Sequence, residues 1–119
     1  MLALRTDLVQ AHPDAVRSLL KAYFRGLQFT KDHPGEAYKI YADVIDTTPA
    51  DVQEQLRTIK LADPADSVSA FAYSGGYGSI YNNMQSILQF IGRTDPRAIK
   101  LNSDILVDPQ FIRALFGGT

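Results

Sequence analysis

Cysteine is missing from this chain, which excludes disulfides, thiolate catalysis and cysteine-based zinc sites. Histidine is nearly missing. His12 and His33 are the two present, and each stands directly before a proline. The residue ahead of a proline is pushed out of the α region, so both read as helix boundaries, with capping or solvated side chains. The long stretch between them argues against a shared metal site, and no Ser-His-Asp grouping can be built around them. No apolar run approaches the roughly 20 residues that a membrane helix needs. Met1 to Arg5 is too short for a secretory h-region. Excess charge of one sign is absent too, with 12 Lys and Arg against 13 Asp and Glu and a net charge of −1. Without a basic patch, nucleic acid is not an expected partner.

What is present suits one globular domain over 1–119. The composition is 45% hydrophobic and 21% charged, enough for a modest core. The most regular stretch is Pro13 to Asp32. Val16, Leu19, Leu20, Tyr23, Phe24 and Leu27 recur at helical spacing and form one stripe. Pro13 suits a first helical turn, and Asp14 places negative charge at the positive end of the helix dipole. A stripe with two large aromatics needs a broad cover, for which the later helices are the candidates.

The rest of the chain reads as further helices set off by proline. Leu2 to Arg5 is a short strand or a lead-in, and Thr6-Asp7 starts one helical turn. A helix from Pro34 to about Ile45 presents Ala37, Ile40, Tyr41 and Val44, with Tyr38 alongside. Asp46 to Pro49 stops it and starts another, with Thr48 as N-cap and Asp51 at the capping-box position. That helix runs to about Ile59, with Val52, Leu56 and Ile59 facing inward. Asp63 to Ser67 is turn chemistry, and Val68 to Tyr73 is extended or one loose turn. A helix from Ser79 to Gly92 carries Ile80, Met84, Ile87, Leu88 and Ile91, with Tyr81 beside them and Gly92 as the terminating glycine. Arg93 to Ile105 is polar connection. Asp108-Pro109 opens a last short helix with Phe111, Ile112 and Leu115 inside. The expectation is a mainly α chain of about five helices in a compact bundle, with room for one short N-terminal strand.

Chemistry is sparse. Asp43 and Asp46 share a helix face, but a working acid–base pair needs one carboxyl raised by burial; a solvated helix end suits them better, as it does Glu54. Ser74-Gly75-Gly76-Tyr77-Gly78-Ser79 precedes a helix, whose backbone N–H groups can receive an anion. It lacks the Gly-Lys-Ser/Thr of a P-loop, and its glycines do not fit the dinucleotide pattern. A tight connection explains the glycines equally well. The ligand-binding candidates are Tyr73, Ser74, Gly75, Gly76 and Tyr77, which combine backbone donors with aromatic faces. No catalytic residue, metal site or cofactor is expected.

Several stretches in order carry a resemblance. RTDLVQAHPDAVRSLLKAYFRGLQFTKDHPGEAYKIYADVIDTTPADVQEQL contains His12-Pro13, an aliphatic helix ending in Ala22-Tyr23, Pro34 to Ala37, and Thr48 to Val52. GYGSIYNNMQSILQFIGRTDPRAIKLNSDILVDPQFIRAL contains Gly78 to Tyr81, Phe90, Gly92 and Asp108 to Ile112. Together these resemble the C-terminal segment of ABC-transporter substrate-binding proteins of the nitrate, sulfonate, taurine and pyrimidine-precursor type. The resemblance spans nearly the whole chain, and the order and spacing of the motifs carry it more than any one of them.

Such proteins are two-lobed α/β binders that deliver a small ligand to a permease from the periplasm, or from a lipid anchor outside the cell membrane. The resemblance therefore implies a non-enzymatic binding role, a small organic anion or heteroaromatic ligand, and an ABC permease partner. It also implies that this chain corresponds to the C-terminal part of the fold, as a fragment or a separately encoded remnant. The long helix would then lack the sheet it packs on, and its stripe would serve as an interface, such as that of a homodimer. A stand-alone interaction module derived from such a protein is the alternative expectation.

Overall fold

The computed structural model describes residues 2–73 and 77–117. They are mainly α: eight α-helices and one 3₁₀ segment, with no strand among the described residues. Leu2 to Arg5 is a non-helical lead-in. The chain divides into two compact units, Met1–Asp63 and Pro64–Thr119.

The first unit holds α1 (Thr6–Ala11), α2 (Pro13–Asp32), α3 (Pro34–Ile45) and α4 (Pro49–Arg57). Each helix from α2 to α4 opens on proline, whose missing N–H costs nothing in a first turn. The His12 and His33 backbone N–H groups close the preceding helices on Leu8 O and Phe29 O, at 2.9 and 2.8 Å. Neither imidazole caps a helix; both are exposed, and the His33 ring lies 5.0 Å from that of Phe29. Asp46, in the left-handed region at φ 53°, ends α3.

Helix α2 packs against α1 and α3, and α3 against α4. The stripe that α2 buries is narrower than its sequence implies. Val16, Leu27 and Thr30 are buried, Leu20 and Phe24 half-buried, and Leu19 and Tyr23 exposed. At the α2–α3 seam the Thr30 hydroxyl donates to Gly26 O at 2.9 Å. Its proton is thus committed, so the Tyr41 hydroxyl, 2.8 Å away, donates to it. The buried positions of α3 are Ala37 and Ala42, whereas Ile40 and Val44 point outward. The inward face of α3 is rotated from the expected one because its small residues, not its largest, meet the neighbours. On α4, Val52 is buried and Leu56 half-buried, but Ile59 is exposed. The helix stops at Arg57, and the Thr58 hydroxyl bonds back to Gln55 O at 2.9 Å, so Ile59 lies past the helical register.

The second unit holds α5 (Pro64–Ala70), α6 (Ile80–Ile91), a 3₁₀ segment (Pro96–Lys100), α7 (Ser103–Leu106) and α8 (Gln110–Phe116). Helix α5 forms where turn chemistry was expected, and two helical segments occupy the expected polar connection. For the two segments in the polar connection the reason is the same. Asp and Asn before a helix former are N-cap chemistry as much as turn chemistry. The Asp95 carboxylate accepts from Arg97 N–H, and the Asn102 amide oxygen from Ile105 N–H, both at 3.0 Å.

Helix α8 packs against α5 and buries Phe111 and Ile112 as expected. Helix α6 packs against α7 and the 3₁₀ segment and buries Tyr81 and Leu88, while Ile87 and Ile91 are exposed. Gly92 follows α6 in right-handed backbone at φ −59°. Its glycine is explained by close approach and not by the expected left-handed turn, since an added Cβ would sit 2.9 Å from Ile99 Cγ1.

Candidate functional site

The ligand candidates named from sequence lie between α5 and α6. Of these, Ser74, Gly75 and Gly76 are outside the described residues. Tyr73 and Tyr77 are 71% and 94% exposed. Gly78 needs no left-handed backbone, and a Cβ there would meet open space.

Two contacts fix the ends of this connection. Ser79 is fully buried, and its hydroxyl donates to Ala72 O at 2.9 Å. The hydroxyl is turned toward Ala72 O, and no side chain caps α6. Asn83, one turn into α6, donates through its amide to Tyr77 O at 2.8 Å.

The Tyr73 ring stacks on that of Tyr81, with centroids 4.2 Å apart and planes at 17°. Tyr81 is buried in the first turn of α6. Arg113 of α8 donates from Nη2 to Phe71 O at 3.3 Å, across 42 residues of sequence. Tyr73 and Tyr77 thus stand at the pinned ends of one connection. Tyr81 lies against Tyr73, and Arg113 bonds to the backbone two residues before it; sequence reasoning singled out neither for binding. The four-residue spacing from Tyr77 to Tyr81 was the available signal for Tyr81. Nothing local signals Arg113.

A second feature belongs to the first unit. Tyr41, Val44, Ile45, Val52, Leu56 and Ile59, with Gln55, line an open, almost wholly apolar cleft of about 190 Å³ between α3 and α4. This is below the roughly 300 Å³ at which small-molecule pockets begin. A wider hollow of about 400 Å³ lies along α1 beside Arg5, Asp7, Leu8, Ala11 and His12. Its charges are already matched: Arg5 pairs with Asp7 and holds that carboxyl below its usual range.

The acidic residues of α3 and α4 do not build an acid–base site. Asp43 and Asp46 are exposed, and Glu54 pairs with Arg57 at 2.9 Å. Among the described residues, no three His, Asp or Glu side chains converge as metal ligands would. No helix is long and apolar enough to cross a membrane among the described residues. Compared with known proteins, the chain matches no family model, no curated protein and no solved structure.

Proposed function

We propose that this chain is the solute-binding component, or a segment of one, of an ABC importer for a small organic anion or heteroaromatic. It would work with a membrane permease, in the periplasm or lipid-anchored outside the cell. The observation that carries this reading is where the resemblance-bearing residues fall. Pro13, Pro34 and Pro49 each open a helix, Thr48 caps one, Gly78 to Tyr81 leads into α6, and Asp108 accepts from Gln110 N–H at the start of α8. These helices and caps follow the order the resemblance implies, whereas the strand it implies at Leu4 through Asp7 is a non-helical lead-in running into α1. The exposed Leu19 and Tyr23 on α2 are in keeping with a helix that packs on further structure.

Thermal unfolding with and without candidate solutes tests the reading. A ligand that binds only the native state, at a hundred times its Kd, adds about 2.7 kcal/mol. For a chain of this size that raises Tm by several degrees. Nitrate, taurine, an alkanesulfonate and a substituted pyrimidine form the panel, and at least one is expected to shift Tm. A midpoint that no solute moves, but that climbs with protein concentration, would overturn the proposal.

That last outcome belongs to a second reading, a helical self-association module that acts through its exposed stripe. The apolar α3–α4 cleft favours it, with Val44 78% exposed and Ile40, Ile45 and Ile59 each more than half exposed. Exposed apolar side chains clustered in this way mark interaction surfaces.

A further inference from the structure

Building on the self-association reading, we infer that α3 pairs antiparallel with the α3 of a second copy of this chain. Ile40 of each protomer then sits at the mouth of the other's α3–α4 cleft.

Helical geometry fixes which residues of α3 share a row. Side chains four apart lie one above the other. Ile40 and Val44 therefore form one row, and Lys39 and Asp43 the row beside it. All four are exposed, Ile40 by 54% and Val44 by 78%. Val44 also walls the apolar cleft, with Tyr41 and Ile45 of α3 and Val52 and Leu56 of α4. Ile40 stands one turn earlier on the same row.

The charged row decides what covers this face. Among the described residues neither Lys39 nor Asp43 has an ion-pair partner. Lysine on the N-terminal side of the acid is the less favourable order for pairing within a helix, so both charges are open to another molecule. A positive and a negative residue one turn apart are self-complementary about a two-fold axis. Turned end over end, the row brings Lys39 to the partner's Asp43, and Asp43 to the partner's Lys39. The same operation sets Ile40 opposite the partner's Val44, at the wall of its cleft. A parallel copy would instead set like charge on like charge, which is costly.

The cleft suits such an occupant. At about 190 Å³ it is small for a ligand but has room for an aliphatic side chain. Apolar contact supplies the attraction, and the two charge pairs set the orientation. The largest apolar patch of a monomer covers roughly 300–600 Å². That is short of the roughly 800 Å² each partner buries in a standard interface, so association is expected only at high protein concentration.

Sedimentation equilibrium from about 10 μM to about 1 mM protein reads the association. The mass of the wild type is expected to rise with concentration. Lys39→Asp puts two acids on the charged row, and Asp43→Lys two lysines. Each variant alone should associate about tenfold more weakly. Mixed in equal amounts, the two should regain wild-type association, because each then meets opposite charge. Mixing cannot restore an ion pair within one helix, so recovery identifies a contact between copies. Ile40→Ala, which alters no charge, should also weaken association about tenfold. All three positions are exposed, and an unchanged circular dichroism spectrum shows that the variants are folded. A mixture no tighter than its components would overturn the antiparallel pairing and leave self-association through another surface standing. Wild-type association by Ile40→Ala would do the same. A wild type that stays monomeric throughout would overturn the pairing and the self-association reading together.

Discussion

Thr48 uses one hydroxyl twice. Its oxygen accepts from the Asp51 backbone N–H at 3.2 Å, and its proton goes to the Asp51 carboxylate at 2.6 Å. Thr47 adds a third bond to the same carboxylate at 3.1 Å. The sequence pattern predicts this N-cap, and the acid differs from the usual capping box only in turning to hydroxyls and not to the cap's own N–H. Thr48→Ala should lower the unfolding free energy by about 1 kcal/mol, read from the denaturant midpoint. The Thr48 and Thr47 hydroxyls hold the Asp51 carboxyl below its ordinary value of 3.8. A carboxyl lowered in the folded state contributes stability above its unfolded pKa, and that contribution is lost as pH falls through the folded value. It is therefore complete at pH 7 and disappears in acid, below about pH 4. Asp95, lowered by Arg97, and Asp7, lowered by Arg5, act in the same window. Asp51→Asn should make the loss of stability between pH 4 and pH 2 shallower. A urea midpoint that follows pH identically in wild type and variant would count against the hydroxyl contacts.

At the scale of the element, α2 shows how far a periodic pattern can be trusted. Leu19 and Leu27 belong to the same stripe by spacing, yet Leu27 is 6% exposed and Leu19 45%. Burial decides the energetic difference. Leu27→Ala should cost about 2–5 kcal/mol through lost transfer energy and the cavity left behind. Leu19→Ala should cost less than about 1 kcal/mol, since much of that side chain already faces water. Equal losses in chemical denaturation would show that both leucines are covered in solution. The Tyr41 hydroxyl that reaches Thr30 is the polar counterpart of this packing. It orients α3 on α2 with an aromatic residue that its sequence marks only as apolar.

At the scale of the whole molecule, the chain leaves much apolar surface uncovered. Val44 is the clearest case, at 78% exposure and on the wall of the α3–α4 cleft. A substitution there has little native packing to lose. Val44→Glu should leave the unfolding free energy within about 0.5 kcal/mol of wild type. It should also abolish any rise of mass with concentration, measured by light scattering on a size-exclusion column. If wild type self-associates and Val44→Glu does so equally, the cleft is not the surface responsible.

Helix positions were the part of this structure most open to reading from sequence. Proline at the first turn, threonine as cap and aspartate as terminator act over three or four residues, so Pro13, Pro34, Thr48 and Asp108 mark their boundaries with no knowledge of the rest. The same locality explains the misreading of α5 and α7, because Asp-Pro and Asn-Ser start a turn or a short helix with equal ease. Tyr73 and Tyr77 could be singled out because they flank glycines.

Tyr81 beneath Tyr73 and Arg113 behind Phe71 could not be found in this way. The first depends on how α6 is rotated, and the second on a contact between residues 42 apart in sequence. Which side of α3 is buried was likewise outside the reach of the pattern. Ala37 and Ala42 lie inside α3 while Ile40 and Val44 lie outside, because close approach of helices favours small side chains at the contact. That the chain is helical, and where most of its helices begin, follows from interactions between residues three or four apart. Which faces meet follows from packing, since it depends on the shape of neighbours that no local pattern contains.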